Sequence, residues 1–172
     1  YNIIIAENEE EEVVYAAEEL QHFLYEATGV EIEIVTNYSG DTVYDSENEY
    51  FILGSLADEK GYAGLTTDTG YKMVKDGKTF YLYGKTPLAT LNAVYAFMNT
   101  ALGLEFFTST DYKLNSKAEL IVGMEWTDVT YNPDIDYNWS CDGSLLQGEK
   151  KQNVINSARM GFVYKDVVSD VS

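Results

Sequence analysis

The first third of the chain has a short apolar run followed by a periodic segment, which predicts a buried strand leading into an amphipathic helix. Residues 2–6, NIIIA, are the apolar run. After them, apolar residues recur every three or four positions, as on a helix with one buried stripe. The stripe comprises Val13, Ala16, Ala17, Leu20, Phe23, Leu24 and Ala27. We expect Asn8 to cap this helix, Glu11 to complete a capping box and Gly29 to end it.

Three further segments have the pattern of strands. VEIEIVT (30–36) alternates apolar and acidic residues, and YFILG (50–54) is a continuous apolar run. Residues 71–85 contain two alternating runs joined by Asp76-Gly77, which predicts a hairpin with a tight type I′ turn.

The stretch YGKTPLAT (83–90) contains a Gly-Lys-Thr triplet, which raises the question of a phosphate-binding loop. Such a loop requires an earlier glycine, and Thr79 occupies that position. Thr86 is instead a favourable N-cap and Pro87 fits the first helical position, so the stretch predicts a helix start. The expected helix has its apolar stripe at Leu91, Val94, Tyr95, Met98 and Leu102 and ends at Gly103.

The order of elements predicts an α+β fold, with a mixed, largely antiparallel sheet, two main helices packed on one face, and a C-terminal extension. Short strands are expected within 104–109, 112–114 and 118–123. We assign residues 1–123 to this domain. Residues 124–172, where the chain becomes aromatic and rich in Asn and Asp, are interpreted as a linker and interdomain segment or the start of a truncated (β/α)8 barrel.

Composition excludes several classes of function. The net charge of -18, from 29 acidic and 11 basic residues, argues against nucleic acid and anionic membranes as partners. No apolar run approaches about 18 residues, so no membrane span is expected. Cys141 is the only cysteine, which rules out an internal disulfide and multi-thiolate zinc sites. Because the chain starts with Tyr1, we expect a trimmed or mature segment of a longer protein.

Candidate metal ligands are weak. His22 shares one helical face with Glu18 and Glu26, but the H-E-x-x-H motif is absent, and we interpret these residues as a solvated face. The acidic loop at 37–49 lacks the order and central glycine of an EF-hand. Its acids are Asp41, Asp45, Glu47 and Glu49. We predict no metal and no cofactor.

Catalytic residues are not assigned. Glycoside hydrolysis uses two carboxyl groups at a set separation, and 29 acids make such a pair uninformative. Asp142 is the one candidate for a catalytic acid, and a solvated loop aspartate is the favoured interpretation. A nucleophilic serine has no G-x-S-x-G motif, and Cys141 has only one histidine in the chain to pair with.

Aromatic residues are the candidates for ligand binding. Tyr81 and Tyr83 share one face of a predicted strand, opposite Phe80 and Leu82. Others gather near the expected domain junction: Tyr112, Trp126, Tyr131, Tyr137 and Trp139. Flat rings stack on sugars, so Tyr81, Tyr83, Trp126 and Trp139 are our candidate carbohydrate-binding residues. The alternative is that these rings pack the sheet against its helices or a neighbouring domain.

Three stretches together resemble a known family. They are AAEELQHFLYEATGVEIEIVT (16–36), YFILGS (50–55) and YLYGKTPLATLNAVYAFMNTALGLEFFTST (81–110). In order and spacing they resemble the α/β domain, like the second domain of hexosaminidases, that precedes the catalytic barrel in alpha-glucuronidases, beta-hexosaminidases and related uncharacterised gut-bacterial proteins. The resemblance covers about residues 1–123. Leu88 and Ala89 depart from it, since the family often has a basic residue and a glycine there.

The resemblance implies a non-catalytic N-terminal accessory domain of a secreted, multi-domain bacterial glycoside hydrolase. The catalytic acids of such proteins lie on barrel strands, which here would follow Ser172. The implied partner is that downstream barrel, with a glycan as a further partner, in an extracellular or cell-surface location. A stand-alone carbohydrate-binding module and a free-standing enzyme or interaction domain are the alternatives.

Overall fold

The computed structural model describes residues 1–36, 49–58, 64–116, 128–134 and 149–162. Within these ranges, the main sheet contains, in spatial order, β2 (Glu33–Val35), β1 (Asn2–Ile4), β3 (Tyr50–Leu53), β5 (Thr79–Gly84), β4 (Tyr71–Asp76) and β8 (Asp128–Tyr131). A second, two-stranded sheet contains β6 (Glu105–Phe106) and β7 (Tyr112–Lys113). The helices are α1 (Glu11–Thr28), α2 (Ser55–Asp58), α3 (Pro87–Leu102) and α4 (Lys150–Arg159).

The main sheet is mixed. β1 runs parallel to β2 and β3, and β3 runs parallel to β5. The other half is antiparallel, because β4 pairs with β5 in the hairpin and with β8 at the edge. The predicted α+β class with a mixed sheet is therefore confirmed.

The start of α1 differs from the prediction. Asn8 does not cap it; the residue at the N-cap is Glu10, whose side chain makes no capping hydrogen bond. The backbone carbonyl of Glu10 accepts from Val13 and Val14 instead. The preceding residue, Glu9, turns away to accept hydrogen bonds from the backbone N–H and hydroxyl of Ser55. The end was predicted correctly, since Gly29 has φ +72° and its N–H bonds to Tyr25 O.

The boundaries of α3 match the sequence prediction. The Thr86 hydroxyl accepts from the Ala89 N–H at 3.2 Å, Pro87 is the first helical residue, and Gly103 ends the helix in the left-handed conformation. Gly84 lies so close to the start of α3 that a Cβ there would stand 2.3 Å from the Ala89 carbonyl carbon. Glycine at this position lets the strand approach the helix.

The hairpin was also predicted, but its turn lies one residue later. Asp76 pairs with Thr79 across β4 and β5, so the loop residues are Gly77 and Lys78 rather than Asp76-Gly77. Gly77 supplies the positive φ angle, +59°, at the first loop position.

Two hydrophobic clusters lie on opposite faces of the sheet. The stripes of α1 and α3 pack on one face, as predicted, against a cluster centred on the rings of Phe51, Phe80 and Phe97. The centroids of these rings lie 5.2–5.4 Å apart. The opposite face carries a smaller cluster, which includes Ile52, Val74, Tyr81 and Tyr83 and the α2 residue Ala57.

Parts of the predicted C-terminal extension pack against the domain. β8 adds a strand to the sheet edge, where the Lys72 ammonium lies 3.4 Å from the Asp128 carboxylate. Helix α4 contacts both α1 and α3. β8 and α4 therefore pack against elements of residues 1–116, and the division of the chain at residue 123 stays a prediction.

Several predictions lie outside the described residues: the strand at 118–123, most of the 37–49 loop, Trp126, Tyr137, Trp139, Cys141 and Asp142. Among the described helices, none combines the length and apolarity that a membrane crossing requires.

Candidate functional site

Of the four candidate carbohydrate-binding residues predicted from the sequence, the structure describes two, Tyr81 and Tyr83. Both are buried. Tyr81 is 4% exposed and Tyr83 is 1% exposed, and both belong to the smaller hydrophobic cluster. Their shared face, opposite Phe80 and Leu82, is as predicted. Neither ring presents a face to solvent, so the structure favours the packing interpretation for this pair.

The Gly-Lys-Thr triplet is part of a local hydrogen-bond network. The Lys85 ammonium donates to the Thr66 carbonyl at 3.0 Å and lies 3.3 Å from the Asp68 carboxylate. The Thr86 hydroxyl donates to the Asp68 carbonyl at 2.8 Å. These contacts hold the 64–70 loop against the start of α3, in agreement with helix capping.

A cleft of about 530 Å³ opens between α3, the end of α4 and the β4–β8 edge of the sheet. Its volume falls in the usual range for small-ligand sites, about 300–1,000 Å³. The lining residues are Thr69, Tyr71, Asn92, Tyr95, Asn99, Leu104, Glu105, Phe106, Tyr131, Pro133, Ala158, Arg159 and Gly161.

Helix α3 supplies a polar stripe to one wall of this cleft. Asn92, Tyr95 and Asn99 are spaced by three and four positions, which places them on one helical face. Asn99 donates from its amide to the Leu104 carbonyl at 2.9 Å. The core-facing stripe of the same helix lies on the other side and includes Leu91 and Met98.

A stacked pair of tyrosines forms another wall. The ring centroids of Tyr71 and Tyr131 are 4.8 Å apart with an interplanar angle of 29°. The two residues are register partners on β4 and β8, which explains why their side chains meet. Tyr131 remains 47% exposed, and β8 is at the edge of the sheet among the described strands. Burial raises the pKa of Tyr71, and Tyr131 adds to that rise.

A closed ionic cluster of Glu19, Tyr95 and Arg159 borders the cleft. The Arg159 guanidinium donates to the two Glu19 carboxylate oxygens through Nε and Nη2, at 2.9 Å each. The Tyr95 hydroxyl donates to Glu19 Oε2 at 2.6 Å. Arg159 Nη1 also donates to the Ser109 carbonyl at 2.9 Å. The cluster thus joins α1, α3, α4 and the β6–β7 connection.

The environment of this cluster shifts the pKa values of Tyr95 and Arg159. Burial raises the pKa of Tyr95 well above its usual value, and the Glu19 carboxylate raises it further, while Arg159 opposes the rise. Burial lowers the pKa of Arg159, but the hydrogen bonds and charge of Glu19 outweigh this, and the net change is upward. The guanidinium also lies over the rings of Phe23 and Phe106, 5.6 and 5.3 Å from their centroids.

Several other titratable side chains of the described residues have structural partners. The His22 imidazole, on an exposed face, lies 3.6 Å from Glu26, whose carboxylate accepts a hydrogen bond from Tyr112. Glu18 pairs with Lys151 at 2.6 Å. Within the described ranges, no three His, Cys, Asp or Glu side chains gather as metal ligands would. Of the acids in the 37–49 loop, only Glu49 is described.

A scan against protein-family models and a search of curated proteins found nothing that matches this chain. The cleft residues were not selected from the sequence, apart from Tyr131 as a member of the junction group. One sequence pattern could have predicted the cleft. Asn92, Tyr95 and Asn99 are spaced so that two amides and a phenol lie on one helical face, beside the apolar stripe. Arg159 carried a second signal as the only arginine in the chain.

Proposed function

We propose that this chain is a non-catalytic N-terminal accessory domain of a secreted, multi-domain bacterial glycoside hydrolase that acts in carbohydrate degradation. The proposal starts from the three sequence stretches that resemble the domain preceding the barrel in alpha-glucuronidases and beta-hexosaminidases. The observed layer of α1 and α3 on one sheet face agrees with the architecture that this resemblance implies.

The observation that carries the non-catalytic assignment is the state of Glu19. It is the only buried acid among the described residues, at 7% exposure. A glycosidase acid must be able to give its proton to a leaving oxygen. Both Glu19 oxygens accept hydrogen bonds from Arg159, and one also accepts from Tyr95. An acid held in this way supports the integrity of the domain rather than proton transfer to a substrate.

Exposed apolar side chains at one end of the domain support a bracing role. Tyr25 and Val30, at the C-terminal end of α1, are 56% and 54% exposed, and Phe107, after β6, is 60% exposed. The β6–β7 pair lies at this same end, since Tyr112 donates to Glu26 of α1 at 2.7 Å. In the proposal, this surface contacts the downstream barrel of the same polypeptide.

Hydrolysis assays on a panel of aryl glycosides test the assignment. We expect the 172-residue chain to give no turnover above buffer, and the parent polypeptide to hydrolyse at least one glycoside. Turnover by the 172-residue chain that is lost in Glu19→Gln would overturn the non-catalytic role. A parent polypeptide that cleaves no glycoside of the panel would overturn the hydrolase assignment.

The bracing role is tested in the parent polypeptide. We expect Phe107→Ala to lower the melting temperature of the downstream domain, because it removes an apolar contact between the two. His22→Ala, on an exposed face of α1, serves as the control and should leave that temperature unchanged. Equal melting temperatures for wild type and Phe107→Ala would contradict the assignment of this surface.

A further inference from the structure

We propose that the cleft between α3, α4 and the β4–β8 edge binds an uncharged sugar, with Tyr131 as the stacking surface and Asn92 and Asn99 as hydrogen-bonding groups. The choice of a sugar among uncharged, ring-containing ligands rests on the proposed function. The cleft is distinct from the carbohydrate-binding site predicted from the sequence, since neither Tyr81 nor Tyr83 lines it.

The aromatic part of the argument concerns Tyr131. Its ring is held in place by stacking on Tyr71 at 4.8 Å, yet nearly half of the residue is open to solvent. A ring fixed by its neighbour loses little conformational freedom when a ligand stacks on it. Phe106, which also lines the cleft, adds a second apolar surface. These surfaces suit the apolar faces of a pyranose ring.

The polar part of the argument concerns the two asparagines. An amide offers both donors and acceptors, which matches the mixed donor and acceptor character of sugar hydroxyls. Among the described residues, the Asn92 side chain has no hydrogen-bond partner. Asn99 uses one N–H for the Leu104 carbonyl, which leaves its carbonyl oxygen and second N–H. The two amides lie on the same face of α3 as Tyr95.

The charge of the cleft selects an uncharged ligand. Among the described residues, Arg159 is the only cationic side chain that lines the cleft, and the Glu19 carboxylate already neutralises that cation at 2.9 Å. Glu105 adds a negative charge to the lining, and the chain as a whole carries -18. An anionic sugar such as a uronate would lose its hydration without finding an unpaired cation. The cleft therefore discriminates against uronates.

Titration of the 172-residue chain with sugars, followed by NMR, tests the proposal. The panel contains neutral hexoses, pentoses, N-acetylhexosamines and their short oligomers, each up to about 10 mM, a range that detects weak binding. Glucuronate and galacturonate form the charged arm. We expect at least one neutral sugar to shift the side-chain amide resonances of Asn92 and Asn99, and the uronates to bind more weakly than their neutral counterparts.

Matched variants connect the binding to the cleft. Tyr131→Ala should weaken binding of the active sugar by about threefold to tenfold, as expected for the loss of one stacked ring. Asn92→Ala should also weaken it. Phe107→Ala and Tyr25→Ala remove exposed rings that do not line the cleft, and they should leave the affinity unchanged.

The proposal is overturned if no neutral sugar of the panel shifts either asparagine, if a uronate binds as tightly as its neutral counterpart, or if Tyr131→Ala binds like the wild type. Failure of the proposed function gives a different result. If the parent polypeptide lacks hydrolase activity but a neutral sugar binds at Tyr131, the accessory role is refuted and the proposal of sugar binding in the cleft still holds.

Discussion

Two pairs of tyrosines on neighbouring strands have opposite environments. Tyr81 and Tyr83 on β5 are almost completely buried, whereas Tyr131 on β8 is 47% exposed beside Tyr71 on β4. All four residues are aromatic and polar at one end, so composition does not distinguish the pairs. Their positions in the sheet do.

The difference follows from strand order. β5 lies between β3 and β4. The sheet face that carries Tyr81 and Tyr83, away from α1 and α3, is covered by the smaller cluster, which includes Ala57 of α2. Among the described strands, β8 lies at the edge of the sheet and has one neighbour. A tyrosine in the sheet interior contributes contact area to the core, and one at the edge keeps a face for a ligand or partner. Candidate binding rings are therefore better sought at sheet edges.

The largest test of this contrast replaces one tyrosine from each pair. Tyr83→Ala should lower the free energy of unfolding by about 3–5 kcal/mol, because it removes a fully buried aromatic side chain. Tyr131→Ala should lower it by only about 0.5–1.5 kcal/mol, the value of an aromatic pair. Urea unfolding of both variants measures the difference. Equal losses of stability would contradict the contrast between a buried Tyr83 and an exposed Tyr131.

Local features of the fold were predictable from short stretches. The start of α3 followed from Thr86 and Pro87, and its end from Gly103, because capping depends on neighbouring residues. The start of α1 was mispredicted, and a long-range contact lies beside it. Glu9 binds Ser55, 46 positions away in the chain, and no local pattern reveals such a contact.

The site was less predictable than the fold. Alternation placed Tyr81 and Tyr83 on one face correctly but carried no information on what covers that face. The cleft depends on β8 pairing with β4 and on α4 packing across α1 and α3. These contacts join positions far apart in the chain, so the pattern near Tyr131 alone resembled a linker.

Glu19→Gln tests the buried ion pair with Arg159, which lies between the hydrophobic core and the cleft. The variant leaves the Arg159 guanidinium without its counter-charge, and the amide oxygen can replace only one of the two Glu19 oxygens that accept from it. We expect a loss of about 3 kcal/mol in the free energy of unfolding, the lower end of the range for breaking a buried ion pair. Uronate binding in the cleft should increase relative to the wild type, because an unpaired cation now lines it.

Glu18→Gln is the matched control, since Glu18 lies next to Glu19 on α1 but is exposed in its pair with Lys151. It should change the unfolding free energy by less than about 1 kcal/mol. Urea denaturation of the two variants at neutral pH gives both values. Equal losses of unfolding free energy in the two variants would contradict the description of the Glu19–Arg159 pair as buried and the Glu18–Lys151 pair as exposed.

Tyr95→Phe removes the hydroxyl that lies 2.6 Å from Glu19. The expected loss at pH 8 is about 1.5 kcal/mol, as for a hydrogen bond to a charged group. The pKa of Tyr95 is raised in the folded state, so its stabilising contribution is complete below about pH 10, the usual value for tyrosine. Above that pH the unfolded chain releases the proton first, and the contribution is lost as pH rises through the folded-state pKa.

The gap in stability between wild type and Tyr95→Phe should therefore narrow as pH increases above about 10. Thermal unfolding at pH 8 and at alkaline pH measures this gap. Tyr25→Phe, at an exposed position of α1, controls for general alkaline effects and should show no gap at either pH. A gap for Tyr95→Phe that stays constant or widens with pH would contradict the raised pKa.

The smallest expected effect concerns Thr69, which lines the open cleft but has a hydroxyl closed to solvent. Among the described residues, this buried hydroxyl has no hydrogen-bond partner. An unsatisfied buried polar group is unfavourable, so Thr69→Val, of similar shape, should be neutral or stabilising by up to about 1 kcal/mol. Thr86→Val is the control with the same chemical change, and it should cost about 1 kcal/mol because the Thr86 hydroxyl caps α3. Because the substitutions are identical, a loss at Thr69 equal to that at Thr86 in urea unfolding would show that the Thr69 hydroxyl has a partner in solution.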